Sequence, residues 1–329
     1  MNIKNARVLV TGAGGFIGSH LVEELVRQGA KVRCFVCYNS RNDPGLLKML
    51  PYEVRESLEI VRADLTSPEA VRQAVEGIEI VFHLGAIISI PYSYAYPRDV
   101  LETNVQGTLN VLLAARDAGV RRVVHTSTSE VYGSAQYVPI DEKHPLCAQS
   151  PYAASKIAAD KLAESFHFTY ELPVVTVRPF NTYGPRQSDR AVIPTIIAQA
   201  LTKSEVYLGA THPRRDLTYV SDTVAGFIAA ACAENIEGET INLGCGQDIS
   251  IGDLGHRIID LVGRDVKLVF DATRIRPQAS EVQQLLSDNT KARELLGWQP
   301  QVSLDEGLQL TINWISNQLS LYSPDQYVF

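Results

Sequence analysis

Apolar and polar positions switch period repeatedly through the first half of the chain. Residues 7–10 (Arg-Val-Leu-Val) form a short apolar run, as expected for a strand buried on both faces. A glycine-rich stretch follows. Apolar positions then return at helical spacing through Ala30, with Ile17, Leu21 and Leu25 on one face. Runs at 32–36, 58–61, 80–84, 123–126 and 173–177 predict further strands. Helical periodicity at 68–75, 100–118 and 152–170 falls between most of them. Strands alternating with helices predict βαβ units: an α/β fold with a Rossmann-like, doubly wound parallel sheet and right-handed crossovers.

After Arg178 the rhythm changes. Pro179, Pro185, Pro194 and Pro213 punctuate shorter segments, with a helix predicted over 192–201 and a strand over 206–208. This half reads as a smaller α+β region that carries substrate specificity. The boundaries drawn are residues 1–179 plus about 217–233 for the sheet domain, and about 180–216 and 234–329 for the second. Residues 323–329 read as a tail.

Length and composition narrow the class. The chain of 329 residues, 45% hydrophobic and 20% charged, has apolar material for a large core, which excludes disorder, collagen and a coiled-coil rod. A net charge of −7 argues against nucleic acid as partner. No apolar run approaches a membrane span. The opening residues lead straight into a strand without a signal-peptide pattern. Five cysteines, an odd number, argue for a reducing cytoplasm. Cys34 and Cys37 form a CxxC, but on a strand they point to opposite faces and have no second pair, so both are read as core thiols rather than zinc ligands. His20, His125, His167 and His256 show no metal-ligand grouping. No metal is expected.

Two stretches carry chemistry. The first is Thr11-Gly-Ala-Gly-Gly-Phe-Ile-Gly18, between the first strand and first helix. Gly12, Gly14, Gly15 and Gly18 permit a tight turn and close backbone approach, while Phe16 and Ile17 open a helix whose free N–H groups suit a pyrophosphate. NAD-binding folds place an acidic residue after the second strand; here the stretch is Cys37-Tyr-Asn39-Ser40-Arg41. Asn39 and Ser40 can bond a ribose or its phosphate, and Arg41 can pair with a 2′-phosphate. That leans toward NADP, with NAD open. Asp64-Leu65, after the third strand, is positioned to meet the adenine or to cap the following helix.

The second stretch is Tyr152-Ala-Ala-Ser-Lys156, whose ends share one helix face. A neighbouring ammonium lowers a phenol's pKa, which makes a tyrosine a usable acid/base. Upstream, Thr128, Ser129 and Glu130 follow the fifth strand, at the sheet end where ligands bind.

Taken together these residues resemble the extended short-chain dehydrogenase/reductase family, in particular nucleotide-sugar epimerases and dehydratases. The matching pieces run from TGAGGFIG (11–18) through DL (64–65), HLGA (83–86), Asn104, STSEVYG (127–133), SPYAASK (150–156), RPFNTYGPRQ (178–187), RRDLTYVSD (214–222), INLGCG (241–246) and RPQASEV (276–282) to LGWQP (296–300). The resemblance implies a tightly bound, recycled NAD or NADP, with Leu84 and Ala86 among its contacts, and a nucleotide-diphosphate sugar as substrate. It implies that Tyr152 takes the sugar 4-OH proton, that Thr128 polarises the same oxygen and that Lys156 holds the nicotinamide ribose. In dehydratases of this family the position of Glu130 holds the base for C5–H. Glucose-type dehydratases carry Asp-Glu at these positions, whereas this chain has Ser129-Glu130, the pair found in GDP-mannose dehydratases. The acid for the departing 6-OH is therefore open between Ser129 as positioner and a shuttle through Glu130.

The closest likeness is to UDP-N-acetylglucosamine 4,6-dehydratases of surface-glycan pathways, with a GDP-linked sugar as another donor. The rivals are a 4-epimerase, which has no need of Glu130, and a UDP-glucuronate decarboxylase, which also carries Thr-Ser-Glu but whose segment corresponding to Tyr152–Lys156 reads YDEGKR. Outside catalysis, an NAD(P)-sensing binding protein is the rival. Asn181, Arg215 and Arg276 match diphosphate contacts, Val192 a base-packing segment, and Arg186 and Arg190 further sugar or phosphate contacts. Helices near 99–118 and 151–170 match the dimer helices of the family and imply a homodimer, with Val100, Val111, Leu112, Leu162 and Phe166 as candidate apolar positions.

Overall fold

The computed structural model describes residues 2–275 and 277–323. Its first half runs β1 (Arg7–Thr11), α1 (Phe16–Arg27), β2 (Lys31–Val36), α2 (Tyr52–Glu56), β3 (Glu59–Arg62), α3 (Pro68–Val75), β4 (Ile80–His83), α4 (Ile90–Ala95), α5 (Pro97–Leu101), α6 (Gly107–Ala118), β5 (Arg122–Thr126), α7 (Pro151–Tyr170) and β6 (Val174–Pro179). The second half runs β7 (Asn181–Tyr183), α8 (Val192–Thr202), β8 (Glu205–Leu208), β9 (Arg214–Tyr219), α9 (Val220–Cys232), β10 (Thr240–Leu243), β11 (Asp248–Ser250), α10 (Ile251–Val262), β12 (Lys267–Phe270), β13 (Gln284–Leu285), α11 (Thr290–Leu296) and α12 (Leu304–Asn317).

Seven parallel strands form one sheet in the order β10-β6-β5-β4-β1-β2-β3. The chain winds outward from β1 through β2 to β3, then restarts at β4 on the other side. The switch between β1 and β4 leaves a crevice at the carboxyl ends of the strands, where ligands of such folds bind. Alternating side chains feed two cores. Val8, Val10, Phe82 and Val124 pack with Leu21, Val22 and Leu25 of α1 and Phe227 of α9. Leu9, Val81, Val123 and Val174 pack with Val71 of α3, Val111 and Leu112 of α6, and Ala163 and Phe166 of α7. Each fully buried aliphatic side chain contributes about 1.5–3 kcal/mol.

The second half builds its own core from Ile196 and Ile197 of α8, Leu254 and Ile258 of α10, and Leu308 and Ile312 of α12. Its sheet centres on β9, paired with β11, β13 and β7.

Four expectations need correction. The helix expected over 100–118 is α5, one π-helical turn at Glu102–Gln106, then α6. Helical periodicity carries no sign of this turn, because its cause is tertiary: Asn104 faces inward and bonds other segments. Residues 240–243, assigned above to the second region, complete the large sheet beside β6, because their apolar run finds a free strand edge there. Cys34 is buried, but Cys37 lies one residue past β2 and is exposed, so only one of the pair is a core thiol. Val100, Val111, Leu112 and Phe166 are buried within the chain itself and present no free apolar face.

Candidate active site

The glycine turn closes on two neighbours. Gly12 has φ +69°, and a Cβ there would lie 2.9 Å from the Gly85 backbone after β4. A Cβ on Gly14 would lie 2.6 Å from Pro44 O, and one on Gly18 2.2 Å from Gly12 O. Glycine is thus required three times in seven residues. Gly15 caps α1 with no side-chain hydrogen bond, and no acidic residue stands in the first turn. Phe16 and Ile17 are half-buried and Gly15 is exposed, so the uncapped helix start is accessible. An uncapped positive helix end over a closed glycine turn fits a dinucleotide diphosphate.

At the adenosine end, Ser40 and Arg41 are exposed. Asn39 is spent on its own loop: its amide donates to Asp43 O at 2.8 Å, and its carbonyl accepts from Asp43 N at 2.9 Å. Asp64 does not cap α3; Ser67 does. The exposed Asp64 carboxylate instead accepts from Thr66 N and Oγ1 at 2.8 and 2.7 Å. Leu65 is buried between Gly85 and Gly107. Leu84 and Ala86 flank Gly85 and are half-buried.

A directed chain of hydrogen bonds ties the turn to the YxxxK helix. Gly85 N donates to Thr11 Oγ1 at 3.0 Å, and Thr11 Oγ1 lies 2.8 Å from His83 Nδ1. His83 Nε2 lies 3.0 Å from Thr108 Oγ1, which donates to Asn104 O at 2.6 Å. Each hydroxyl has one proton. Thr108 spends its proton on Asn104, so His83 donates from Nε2. Burial first, then His125 and Lys156, hold the His83 pKa well below the ordinary value, which leaves Nδ1 to accept from Thr11. The Asn104 amide donates to Ile87 O and Ser155 Oγ, both at 2.9 Å, and its carbonyl accepts from Ile87 N at 2.8 Å. The π-helical turn is what turns Asn104 inward.

Beside β5, Thr128 opens a one-turn 3₁₀ helix, its hydroxyl accepting from Glu130 N at 3.2 Å. Tyr152 is buried, and burial raises its phenol. The hydrogen bond with Thr128 pulls the other way, while the charges of Glu130 and Asp160 add to the rise. The lowering expected from Lys156 is not among the effects acting on the phenol, where burial dominates. The Lys156 ammonium donates to Thr126 O at 2.6 Å. Burial brings it down to about 8, against the charge of Asp160, which raises it. Ser129 is buried and Glu130 half-buried. Thr128 thus bonds both Glu130 N and the Tyr152 phenol, while Lys156, one turn on from Tyr152, reaches the end of β5 at Thr126.

The candidate substrate residues divide. Asn181 begins β7, and its Oδ1 is buried with no partner. Arg215 is buried on β9 and pairs with Glu281 at 3.2 Å. Val192 is the first residue of α8 and half-buried. Arg186 does not face this site: it pairs with Glu23 and donates to Ser19 Oγ at 3.3 Å, both on α1, because its φ of +67° turns it back onto that helix. Arg190 is exposed. Arg276 lies outside the described residues.

Sequence reasoning gave no role to Asp160, Ser127 or Arg178, and saw in His125 only the absence of a metal-ligand grouping. Asp160 Oδ1 lies 3.1 Å from His125 Nε2, and Oδ2 accepts from Ser127 Oγ at 2.7 Å and from Arg178 at 3.0 Å. The available signal was the four-residue helical spacing from Lys156 to Asp160. Among the described residues no group of three or more His, Cys, Asp or Glu could hold a metal. No helix among them is long and apolar enough to cross a membrane.

Comparison with known proteins bears on this arrangement. Residues 9–311 match the family model described as GDP-mannose 4,6 dehydratase. A UDP-glucose 4-epimerase of Mycolicibacterium smegmatis is 35% identical over 95% of this chain and 99% of its own. The structure of a dTDP-glucose 4,6-dehydratase from Streptomyces venezuelae, solved with NAD bound, superposes with a TM-score of 0.86 at 31% identity, over 97% of this chain and 99% of that one. A UDP-N-acetylglucosamine 4-epimerase from Methanobrevibacter ruminantium superposes with a TM-score of 0.85 at 30% identity, over 96% and 99%.

Proposed function

Because the chain belongs to the NAD-dependent epimerase/dehydratase family of short-chain dehydrogenases/reductases, we propose that it is a nucleotide-sugar 4,6-dehydratase. Its donor in this reading is a UDP-N-acetylhexosamine, UDP-N-acetylglucosamine first. The observation that carries the reading is the Glu130 carboxylate, close enough to Tyr152 for its charge to raise the phenol. An interconversion at C4 alone gives such a carboxylate no task; an elimination across C5 and C6 does.

The glycine turn and the open end of α1 would hold the cofactor diphosphate, and Lys156 its nicotinamide ribose. Ser40 and Arg41 would meet the adenosine ribose, where the lack of a carboxylate directly after β2 suits a 2′-phosphate. When bound, the dinucleotide accepts hydride from C4 of the sugar and returns it to C6. Tyr152 takes the 4-OH proton, and Thr128 donates a hydrogen bond to the same oxygen. The C4 ketone acidifies the C5 proton, so a single carboxylate, Glu130, can remove it. The 6-OH leaves as water, with Ser129 positioning the hydroxyl or Glu130 shuttling to it the proton taken from C5. As hydride returns to C6 a proton is added at C5, matched by the 4-OH proton that Tyr152 gives up, so the products are a 4-keto-6-deoxy sugar and one water. Asn181, with its unpartnered buried carbonyl, and Arg215 suit the donor diphosphate.

The 35% identity to a UDP-glucose 4-epimerase favours a second reading, C4 epimerisation with Tyr152, Lys156 and Thr128 alone. Glu130→Gln separates the two. In a dehydratase it stops water loss, a drop of about 10²–10⁴-fold, while cofactor binding and C4 oxidation persist. An undiminished turnover would remove Glu130 from the mechanism. We also propose a homodimer through the helices near 99–118 (α5 and α6) and 151–170 (α7), whose exposed residues include Leu101, Phe168 and Tyr170. Light scattering at low concentration tests it; a monomer contradicts it.

A further inference from the structure

We propose that Ser127 and Tyr132 are positioning residues for Thr128 and Glu130: one buried ion pair, Asp160 with Arg178, grips the chain on both sides of these two groups and fixes them against Tyr152. This rests on the reading of Thr128, Glu130 and Tyr152 as the groups that act on the sugar.

The turn that carries Glu130 is weak by itself. Ser129–Tyr132 is a single 3₁₀ turn, a form whose hydrogen bonds are poorly aligned. Its backbone bonds are long: Val131 N to Thr128 O at 3.4 Å and Gly133 N to Glu130 O at 3.3 Å. Its cap, Glu130 N to Thr128 Oγ1, spans 3.2 Å. One backbone bond from outside, Cys147 N to Val131 O at 2.9 Å, supports it. The side chains at its two ends are held more tightly. Ser127 Oγ donates to Asp160 Oδ2 at 2.7 Å. The Tyr132 hydroxyl donates to Asn242 Oδ1 at 2.7 Å and accepts from Arg178 Nη1 at 2.9 Å. Arg178 Nη2 closes the circuit, donating to the same Asp160 Oδ2 at 3.0 Å. His125 lies 3.1 Å from the other oxygen, Oδ1. Hydrogen bonds to ionised groups are roughly twice as strong as neutral ones, so the anchors outweigh the turn's own bonds.

Ser127, Tyr132, Asp160, Arg178 and Asn242 are at most 5% exposed, so water does not replace these bonds. Asp160 lies on α7, about two helical turns beyond Tyr152. The anchor and the tyrosine thus share one helix. Arg178 comes from β6 and Asn242 from β10. The segment is therefore set against α7 at Ser127 and against the sheet at Tyr132. Thr128 is the immediate neighbour of the first anchor, and Glu130 stands two residues from the second. Loss of an anchor releases its own neighbour first. Ser127 governs Thr128 and the oxidation at C4; Tyr132 governs Glu130 and the loss of water. A network that served stability alone would not divide the two steps.

Single-turnover kinetics on the holoenzyme separate the steps: the absorbance of reduced nicotinamide follows oxidation at C4, and mass follows loss of water. Such rates do not depend on how much of the protein is folded. Tyr132→Phe keeps the ring and removes the hydroxyl. It should slow water loss about 10-fold or more while C4 oxidation stays within about 2-fold, since a misplacement of about 1 Å costs up to about 10²-fold. Reduced nicotinamide then builds up and persists. Ser127→Ala should instead slow C4 oxidation about 10-fold by the same argument. Equal loss in both steps, or no loss, in either variant overturns the proposal. Should one variant not fold, the other decides on its own step. Amide exchange at residues 128–133, measured without donor, should rise in Tyr132→Phe, and unchanged exchange there also overturns it. Glu130→Gln tells the two readings apart. If it blocks water loss while Tyr132→Phe leaves that step at full rate, this inference alone fails. If it loses no rate, the dehydratase reading fails, and the effect of Ser127→Ala on C4 oxidation still decides this one.

Discussion

Thr11→Val isolates the bond that joins the glycine turn to the interior. Thr11 is 1% exposed, so water cannot replace what its hydroxyl supplies. That hydroxyl accepts from Gly85 N at 3.0 Å and lies 2.8 Å from His83 Nδ1. Valine has nearly the same shape and leaves both partners buried and unpaired. Each buried polar group left unsatisfied costs about 1–3 kcal/mol, so the loss is about 1–5 kcal/mol after a small gain from the added methyl. At roughly 2–3 °C per kcal/mol for a chain of this size, the melting temperature falls by about 2–15 °C. Thr11→Ser keeps the hydroxyl and loses only a methyl, a cost of about 1 kcal/mol. Calorimetry on the three proteins reads the difference. A valine variant melting with the wild type, or a serine variant as low as the valine one, would refute the directed chain from Gly85 to Asn104.

Other consequences follow from single contacts. Gly18→Ala puts a Cβ 2.2 Å from Gly12 O, so the turn must open and the protein should retain no nucleotide; nucleotide released on denaturation measures this, and an undiminished yield contradicts it. Asp222 accepts from Gln301 N and Val302 N at 3.1 and 3.0 Å. Its carbonyl accepts from Trp298 Nε1 at 2.8 Å, a bond that Asp222→Ala leaves in place. The alanine variant should lose about 2–4 kcal/mol and raise amide exchange at 298–302, since hydrogen bonds to a charged group are removed and backbone N–H groups orphaned. Burial lowers the pKa of His20, to about 4, and those of His83 and His125 below the ordinary 6.5. Folding thus disfavours their protonation, so the stability they give is present above 6.5 and lost as pH falls below it, for His20 over 6.5 to about 4. Urea midpoints should drop from pH 7 to pH 5; a flat or rising midpoint contradicts this.

Local signals explain what was legible in the sequence. The run from Arg7 through the glycine turn into α1 shows in period and glycine placement, because a buried parallel strand and an amphipathic helix each leave a pattern. Helix α3 begins at Pro68, as expected, although Ser67 rather than Asp64 caps it. The four-residue spacing of Tyr152 and Lys156 placed them together. The features that were not legible depend on distant partners. The π-helical turn exists to aim Asn104 at Ile87 and Ser155, which lie on other segments. Arg186 reads as a ligand contact within its motif, yet its partner is Glu23, more than 160 residues away on α1. Strand β10 is a four-residue run whose place beside β6 follows from an open edge, not from its own sequence. The pull of burial on Tyr152 depends on how much protein covers it, which spacing does not encode.

Mass spectrometry of product after incubation with UDP-N-acetylglucosamine, in parallel with GDP-mannose, dTDP-glucose and UDP-glucuronate, addresses the reaction directly. The expected result is loss of one water from UDP-N-acetylglucosamine, abolished in Glu130→Gln. An unchanged mass with a new C4 epimer by NMR would contradict it, making the protein an epimerase and leaving Glu130 without a catalytic task.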